Sequence, residues 1–211
     1  MNMMYNKSMK LNVIIPVYNQ EDLVIRALDS IPISNNIKVI VIDDASTDNT
    51  LRNIINYSNN SLLNIDILTN DENRGVGYSL NRGLEISFGD YVLLLGSDNY
   101  LLPEIKQVID IAENTNSDLV YFNLRINDGS IFEVNEFTKH DFCGSVKLMK
   151  RDFIGNTRNP EKRHAEDLDF YNELLSKNPT EVFTGITAKH YNFPRIGSLT
   201  DVAIKSGEIG V

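Results

Sequence analysis

Two periods organise the apolar and polar positions of this chain. Residues 13–17, VIIPV, form a short apolar run rich in β-branched side chains that breaks at Tyr18, Asn19, Gln20 and Glu21. That is the pattern of a buried strand delivering its C-terminal end to a loop. Leu23, Ala27, Leu28 and Ile31 then recur at helical spacing, with Glu21 and Asp22 in the first turn where carboxylates favour the helix dipole, and Pro32 stops the pattern. Residues 39–42, VIVI, make a second buried strand that ends at Asp43 and Asp44. Strand, helix and strand with short connections imply a parallel pair, and open parallel sheets bind ligands beyond the carboxyl ends of their strands. Both polar clusters fall there.

The same reading continues along the chain. A helix is expected over 47–57, a strand over 62–68, a polar glycine-containing loop over 70–77 and a helix over 78–88. Gly89 and Asp90 turn the chain into an apolar strand at 91–95, which ends at Gly96, Ser97, Asp98 and Asn99. Pro103 opens a helix carrying Ile105, Val108, Ile109 and Ala112 on one face, and a strand returns at 118–124. Asn127-Asp128-Gly129 reads as a hairpin turn into an antiparallel strand at 130–134. Residues 137–153 give no clear period, KLMKRDFI at 147–154 is expected as a short helix, and Glu166-Asp167 opens a late helix. The expected class is α/β: a Rossmann-like three-layer sandwich whose central sheet is mostly parallel, with an antiparallel portion towards the C-terminus.

With 211 residues and 42% hydrophobic content, the chain can bury a sizeable core as one domain over 11–211 after a flexible stretch at 1–10. The expected division is a ligand-binding half at 11–100 and a second half at 101–211. A net charge of -9 argues against a broad basic surface for nucleic acid or anionic membrane. Cys143 is the single cysteine, so an intramolecular disulfide is excluded and the residue reads as a small buried hydrophobe. The N-terminus MNMMYNKSMK lacks a signal-peptide core and no run approaches the ~20 apolar residues of a membrane span, so a cytoplasmic protein is expected.

PVYN after the first strand and VIDDASTDNT after the second resemble the N-terminal half of family 2 glycosyltransferases of the GT-A fold. The resemblance continues through Asn73-Arg74-Gly75 with Asn81-Arg82-Gly83, through Asp98, through Glu166-Asp167 and through Tyr191 to Ser198, and so spans nearly the whole chain. It implies a transferase that moves a sugar from a nucleotide-sugar, a UDP-sugar in the first instance, to an acceptor hydroxyl with inversion. Pro16, Val17, Tyr18, Asn19, Glu21, Asp43 and Asp44 would then surround the base and ribose. Tyr18 would stack on the uracil or meet its edge, and Asp44 would accept from its ring N–H, as an acceptor-only carboxylate can. Asn73, Gly75 and Asn81 would lie near the diphosphate, Ser97 and Asp98 beside the metal, and Arg195 and Ser198 over the diphosphate. Asp98 would bind Mn²⁺ or Mg²⁺ and Asp167 would act as base. The implied partners are the donor and a hydroxyl-bearing acceptor, a glycan or glycoconjugate.

Two positions depart from the family pattern: Gly96 stands at the first aspartate of D-x-D, and Leu80 where arginine is usual. Each motif also has a plainer reading. Asp43-Asp44 serves equally as a turn in which Ser46 or Thr47 caps the next helix. Arg82 reads as a solvated helix face, Gly75 and Gly77 as backbone punctuation, Ser97-Asp98-Asn99 as a strand-to-helix turn, and Asp167 as an ordinary first-turn acid. His164 and His190 are expected to be structural or on the acceptor side. Two rival functions stay open: a nucleotidyltransferase, disfavoured because PVYNQED is neither glycine-rich nor basic, and a nucleotide-sugar or carbohydrate-binding module that has lost catalysis.

Overall fold

The computed structural model describes residues 9–140, 146–160 and 166–193. Among the described residues, nine strands form one mixed sheet: β1 (Leu11–Val17), β2 (Ile37–Asp43), β3 (Asn64–Thr69), β4 (Tyr91–Leu94), β5 (Tyr100–Leu101), β6 (Leu119–Arg125), β7 (Ile131–Phe132), β8 (Lys147–Lys150) and β9 (Glu181–His190). The helices are α1 (Val24–Asp29), α2 (Thr50–Asn60), α3 (Val76–Glu85), α4 (Ile105–Thr115), α5 (Arg151–Ile154) and α6 (Glu166–Ser176). The strand order is β3-β2-β1-β4-β8-β6-β9-β5, with β7 paired to β6.

The four strands β3, β2, β1 and β4 run parallel, joined by helical crossovers as their sequence spacing demands. In β1 both alternating sets of side chains are buried, Leu11, Val13 and Ile15 on one face and Asn12 and Ile14 on the other, so helices cover the sheet on both faces. On one of them α3 packs against β1 and β2 through Gly83, where a Cβ would stand 2.5 Å from Ile14 Cγ2 and 3.0 Å from Ile42 Cδ1. β8 then enters antiparallel between β4 and β6, while β9 lies parallel to β6 and antiparallel to β5. The mixed GT-A-type α/β sandwich expected from the sequence is the fold found.

The helix expected over 147–154 is corrected to a strand followed by one turn of helix. Lys147, Leu148 and Met149 are all buried, as a strand inserted between two neighbours requires, and α5 ends at Gly155 with φ +56°. β9 escaped the sequence reading because Gly185, at φ +67°, and a register shift against β6 break its alternation. The hairpin turn at Asn127-Asp128-Gly129 forms as expected: Ile126 N–H donates to the Ser130 carbonyl at 3.0 Å, with Gly129 at φ +86°.

Candidate functional site

The C-terminal ends of β2, β1 and β4 lie side by side, so the loops that follow them share one rim. Pro16 sits in a central strand without breaking it. The Ile14 carbonyl faces β4 and accepts Leu95 N–H at 2.9 Å, and Pro16, two residues further, turns the same way where β4 has ended and no donor is required. Val17 is buried and its carbonyl accepts Asp44 N–H at 2.8 Å, joining the first two loops. Tyr18 is 42% exposed at the rim.

Asn19, at φ +49°, turns back onto the second loop, where Ala45 also has a positive φ of +60°. Asn19 N–H donates to Ser46 Oγ at 3.0 Å, and Thr47 N–H donates to Asn19 Oδ1 at 2.8 Å. Glu21 Oε2 accepts both the backbone N–H of Asn49 at 2.9 Å and its side-chain amide at 2.8 Å, at the start of α2. Asp48 Oδ1 accepts Thr50 N–H at 2.9 Å. Burial pushes the Asp48 carboxyl up, but the Thr50 and Glu21 hydrogen bonds outweigh it and hold the group below its ordinary range. Ser46 and Thr47 therefore latch the loops together, and Asp48 and Glu21 serve the helix start, which corrects the expected cap.

Asp44, 4% exposed, is an anchor: Oδ1 accepts Asn70 Nδ2 at 2.5 Å and Arg74 N–H at 2.9 Å, and Oδ2 accepts Gly75 N–H at 2.8 Å. Gly75 is needed for its φ of +88° at the head of α3. Asp43 Oδ2 accepts Ser46 N–H at 3.1 Å, while its Oδ1 is buried with no hydrogen-bond partner. Asn70 is 7% exposed, and its Oδ1 accepts Arg82 Nη1 at 2.5 Å, which also reaches the Thr69 carbonyl at 2.7 Å. Arg82 is thus half-buried and bonded, which corrects the solvated-face reading. Arg74 lies 4.1 Å over the Tyr78 ring, Asn73 is exposed in the same loop, and Leu80 is in the core. Asn70, Arg74, Tyr78 and Arg82 line a cavity of about 400 Å³ beside Asp44.

The loop after β4 carries Ser97, buried, and Asp98, half-buried. The Asp98 carbonyl accepts Arg26 Nη2 at 2.7 Å. At Gly96 a Cβ would stand 2.6 Å from Asn99 Nδ2 and 3.1 Å from Asp98 Oδ1. The Asn99 carboxamide thus fills the space where an aspartate would otherwise begin, and its Oδ1 accepts Asn192 N–H at 2.8 Å. Beside the loop, Lys189 is fully buried. Burial lowers its ammonium to about 7, against the opposing pull of the Asp98 carboxylate. Tyr100 lies between Arg26, 5.0 Å from its centroid, and the His190 ring, stacked at 4.4 Å and 8°. Burial first, then Arg26 and Arg125, push His190 below its usual value.

No group of three or more His, Cys, Asp or Glu able to hold a metal occurs among the described residues. Asp98 alone fits a hard divalent cation that arrives with a diphosphate, since such ions take one or two carboxylates plus phosphate oxygens and water. Asn81 reaches from α3 to Asn159: its Oδ1 accepts Asn159 N–H at 2.8 Å and its Nδ2 donates to the Asn159 carbonyl at 2.8 Å. It ties the first half to the segment that leads to α6, whose first turn carries half-buried Asp167. Arg195, Ser198, His164 and Cys143 lie outside the described residues.

Sequence reasoning missed Asn70, Arg26, Asn99 and Lys189. A lysine inside the strand-like TAKHY run was the one legible signal among them.

Four parallel strands with three acidic loops on one carboxyl rim, continued by an antiparallel portion, define an α/β domain of GT-A type. The chain belongs to glycosyl transferase family 2, whose model matches residues 12–180. It is 30% identical over 205 residues to the poly(ribitol-phosphate) β-N-acetylglucosaminyltransferase TarS of Staphylococcus aureus, covering 92% of this chain and 35% of that protein. The chain thus spans about a third of the length of that relative. The structure of residues 1–349 of S. aureus TarS in complex with UDP-GlcNAc superposes with a TM-score of 0.78 at 23% identity, over 91% of this chain and 61% of that one. A mannosyltransferase from Pyrobaculum calidifontis, in complex with GDP-Man and Mn²⁺, gives a TM-score of 0.71 at 18% identity, over 96% of this chain and 65% of that one. The chain is a glycosyltransferase-family domain, and no helix among its described residues is long and apolar enough to cross a membrane.

Proposed function

We propose that this domain transfers a hexose-type sugar from a UDP-sugar to a hydroxyl of a glycan or glycoconjugate, with inversion at the anomeric carbon. The observation that carries the reading is the convergence of Tyr18, Asp43-Asp44 and Asp98 on the adjacent ends of three parallel strands. The complex of TarS with UDP-GlcNAc supports the choice of nucleotide. Such donors are made in the cytoplasm, which is where the activity belongs.

The uracil would lie against Tyr18. Asp44 keeps about one of its roughly four lone-pair sites beyond its three internal bonds for a ring N–H. Asn19 and Glu21 act by shaping the pocket, and Asn73, Gly75 and Asn81 border the diphosphate. Asp98, with Ser97 beside it, would hold Mg²⁺ or Mn²⁺, which when bound neutralises charge building on the diphosphate. Asp167 takes the acceptor proton as the hydroxyl oxygen attacks C1 from the face opposite the diphosphate. A new C1–O bond forms, the bond to the diphosphate breaks, and UDP leaves with the electron pair.

A second reading is a nucleotide-sugar-binding module without turnover. Gly96 filled by Asn99, and a buried lysine beside Asp98, favour it. Calorimetric titration with UDP, with and without Mn²⁺, followed by assay of UDP-GlcNAc turnover, separates the two. Metal-dependent UDP binding that Asp98→Ala abolishes, together with sugar release, supports the transferase. Tight binding with no turnover under any metal supports the module, and no binding of UDP at all overturns both.

A further inference from the structure

α6 turns Phe170, Tyr171 and Leu174 inward, each no more than 2% exposed. Phe170 and Leu174 make apolar contacts, which are non-directional and tolerate small rotations. Tyr171 is held directionally. Its hydroxyl lies 2.6 Å from that of Tyr121 in β6, and Tyr121 donates to Glu181 Oε1 in β9 at 2.6 Å. Glu181 Oε2 accepts Lys139 Nζ at 2.8 Å. An ionised carboxylate has no proton to give and Tyr121 has one, so Tyr171 must donate to Tyr121 and the chain has a single polarity. Burial first, then Glu181, push Tyr121 far up, so it remains a phenol. Lys147, 1% exposed and opposite Tyr121 in β8, places its ammonium 3.8 Å from the Tyr171 ring centroid.

Apolar side chains of equal volume would hold a helix here as firmly. What the polar chain adds is direction. Asp167 precedes Tyr171 by four residues, so the two share one face of α6, a single turn apart. A carboxylate about 6 Å from the helix axis moves by about 1 Å for each 10° that the helix rolls, and 1 Å of misplacement costs on the order of 100-fold in rate.

We propose that the chain Tyr171–Tyr121–Glu181–Lys139, with Lys147 on the Tyr171 ring, is a clamp that sets the roll of α6 and thereby aims Asp167 at the acceptor. Tyr171 is a positioning residue, and the inference rests on Asp167 being the base.

The test is Tyr171→Phe, which keeps the ring and removes the hydroxyl, alone and combined with Asp167→Asn. Hydrolysis of UDP-GlcNAc and UDP affinity are the first readouts. Tyr171→Phe is expected to lower kcat by about 10-fold to 100-fold, leave KM and UDP affinity within about twofold, and add nothing once Asp167 is Asn. Unchanged kcat in Tyr171→Phe while Asp167→Asn is dead overturns the clamp, as does an equal further loss in the double variant. Wild-type turnover in Asp167→Asn overturns the base reading instead. Amide hydrogen exchange decides without turnover: the amides of residues 170–173, which donate to the first-turn carbonyls of α6, are expected to exchange faster in Tyr171→Phe with β1 and β2 unchanged, and unaltered exchange there overturns the clamp.

Discussion

Asp44→Asn is the substitution that separates a carboxylate holding the rim together from one waiting for a ligand. The native carboxylate accepts three internal N–H groups, two on Oδ1 and one on Oδ2. A carboxamide in the same place has one acceptor oxygen, so its NH₂ must face a donor whichever way it turns. With the oxygen towards Asn70 and Arg74, the Gly75 bond is lost and two donors confront each other at the native 2.8 Å separation. Losing one charge-assisted bond costs about 1.5–3 kcal/mol, and turning the other two from charged to neutral adds roughly 1 kcal/mol, giving about 3 kcal/mol in all. For a chain of this size, 1 kcal/mol moves Tm by about 2–4 °C, so a fall of about 6–12 °C is expected. Thermal unfolding followed by circular dichroism measures it, with urea titration as a check. Asp66→Asn is the control: its ion pair with Lys38, at 2.6 Å, joins two side chains about 40% exposed and contributes at most about 1 kcal/mol. A Tm of Asp44→Asn within about 1 °C of wild type, or equal to that of Asp66→Asn, would refute the anchoring role.

Three further outcomes are expected. Gly83→Ala drives a methyl to within 2.5 Å of Ile14 Cγ2 between α3 and the sheet, and should destabilise by about 1–3 kcal/mol in urea unfolding; a neutral result would show that α3 lifts freely. Gly96→Asp should not strengthen metal binding by UDP calorimetry, and should lower Tm, because Asn99 occupies the space; a gain in Mn²⁺-dependent affinity without loss of stability would contradict this. His190, held below its usual 6.5 by burial and by Arg26 and Arg125, binds a proton more readily unfolded than folded. Its contribution is therefore complete above pH 6.5 and is lost as pH falls through the folded value, so His190→Gln should flatten the acid side of a stability-against-pH curve, and identical slopes would exclude it.

The parallel half of the fold was legible because its strands are short, apolar on both faces and punctuated at their ends. Val13 to Val17 and Val39 to Ile42 have no other sensible place than the middle of a covered sheet. The second half was less legible because its strands carry polar residues inward: Lys147, Lys189 and Tyr121 are buried, and each belongs to a partnership across the sheet that no local window contains. The rim's acids were found by position, yet their neighbours were not. Asn70 and Asn99 read as loop residues, and only the folded chain shows one gripping Asp44 and the other filling the space over Gly96. The short-helix expectation at 147–154 failed for the same reason, since strand or helix there is decided by two neighbours distant in sequence.

β8 spans four residues, yet it pairs through three residues with β4 and through three with β6. Within the sheet, the four parallel strands that would grip the donor meet the half that would greet the acceptor across this narrow ribbon, while β5 joins the far edge through β9. The bonds that sew it are backbone to backbone, indifferent to which side chains hang on either bank. Such a seam lets one bank be rewritten while the other keeps its script. A lineage could thus exchange what it glycosylates without relearning how to hold its nucleotide.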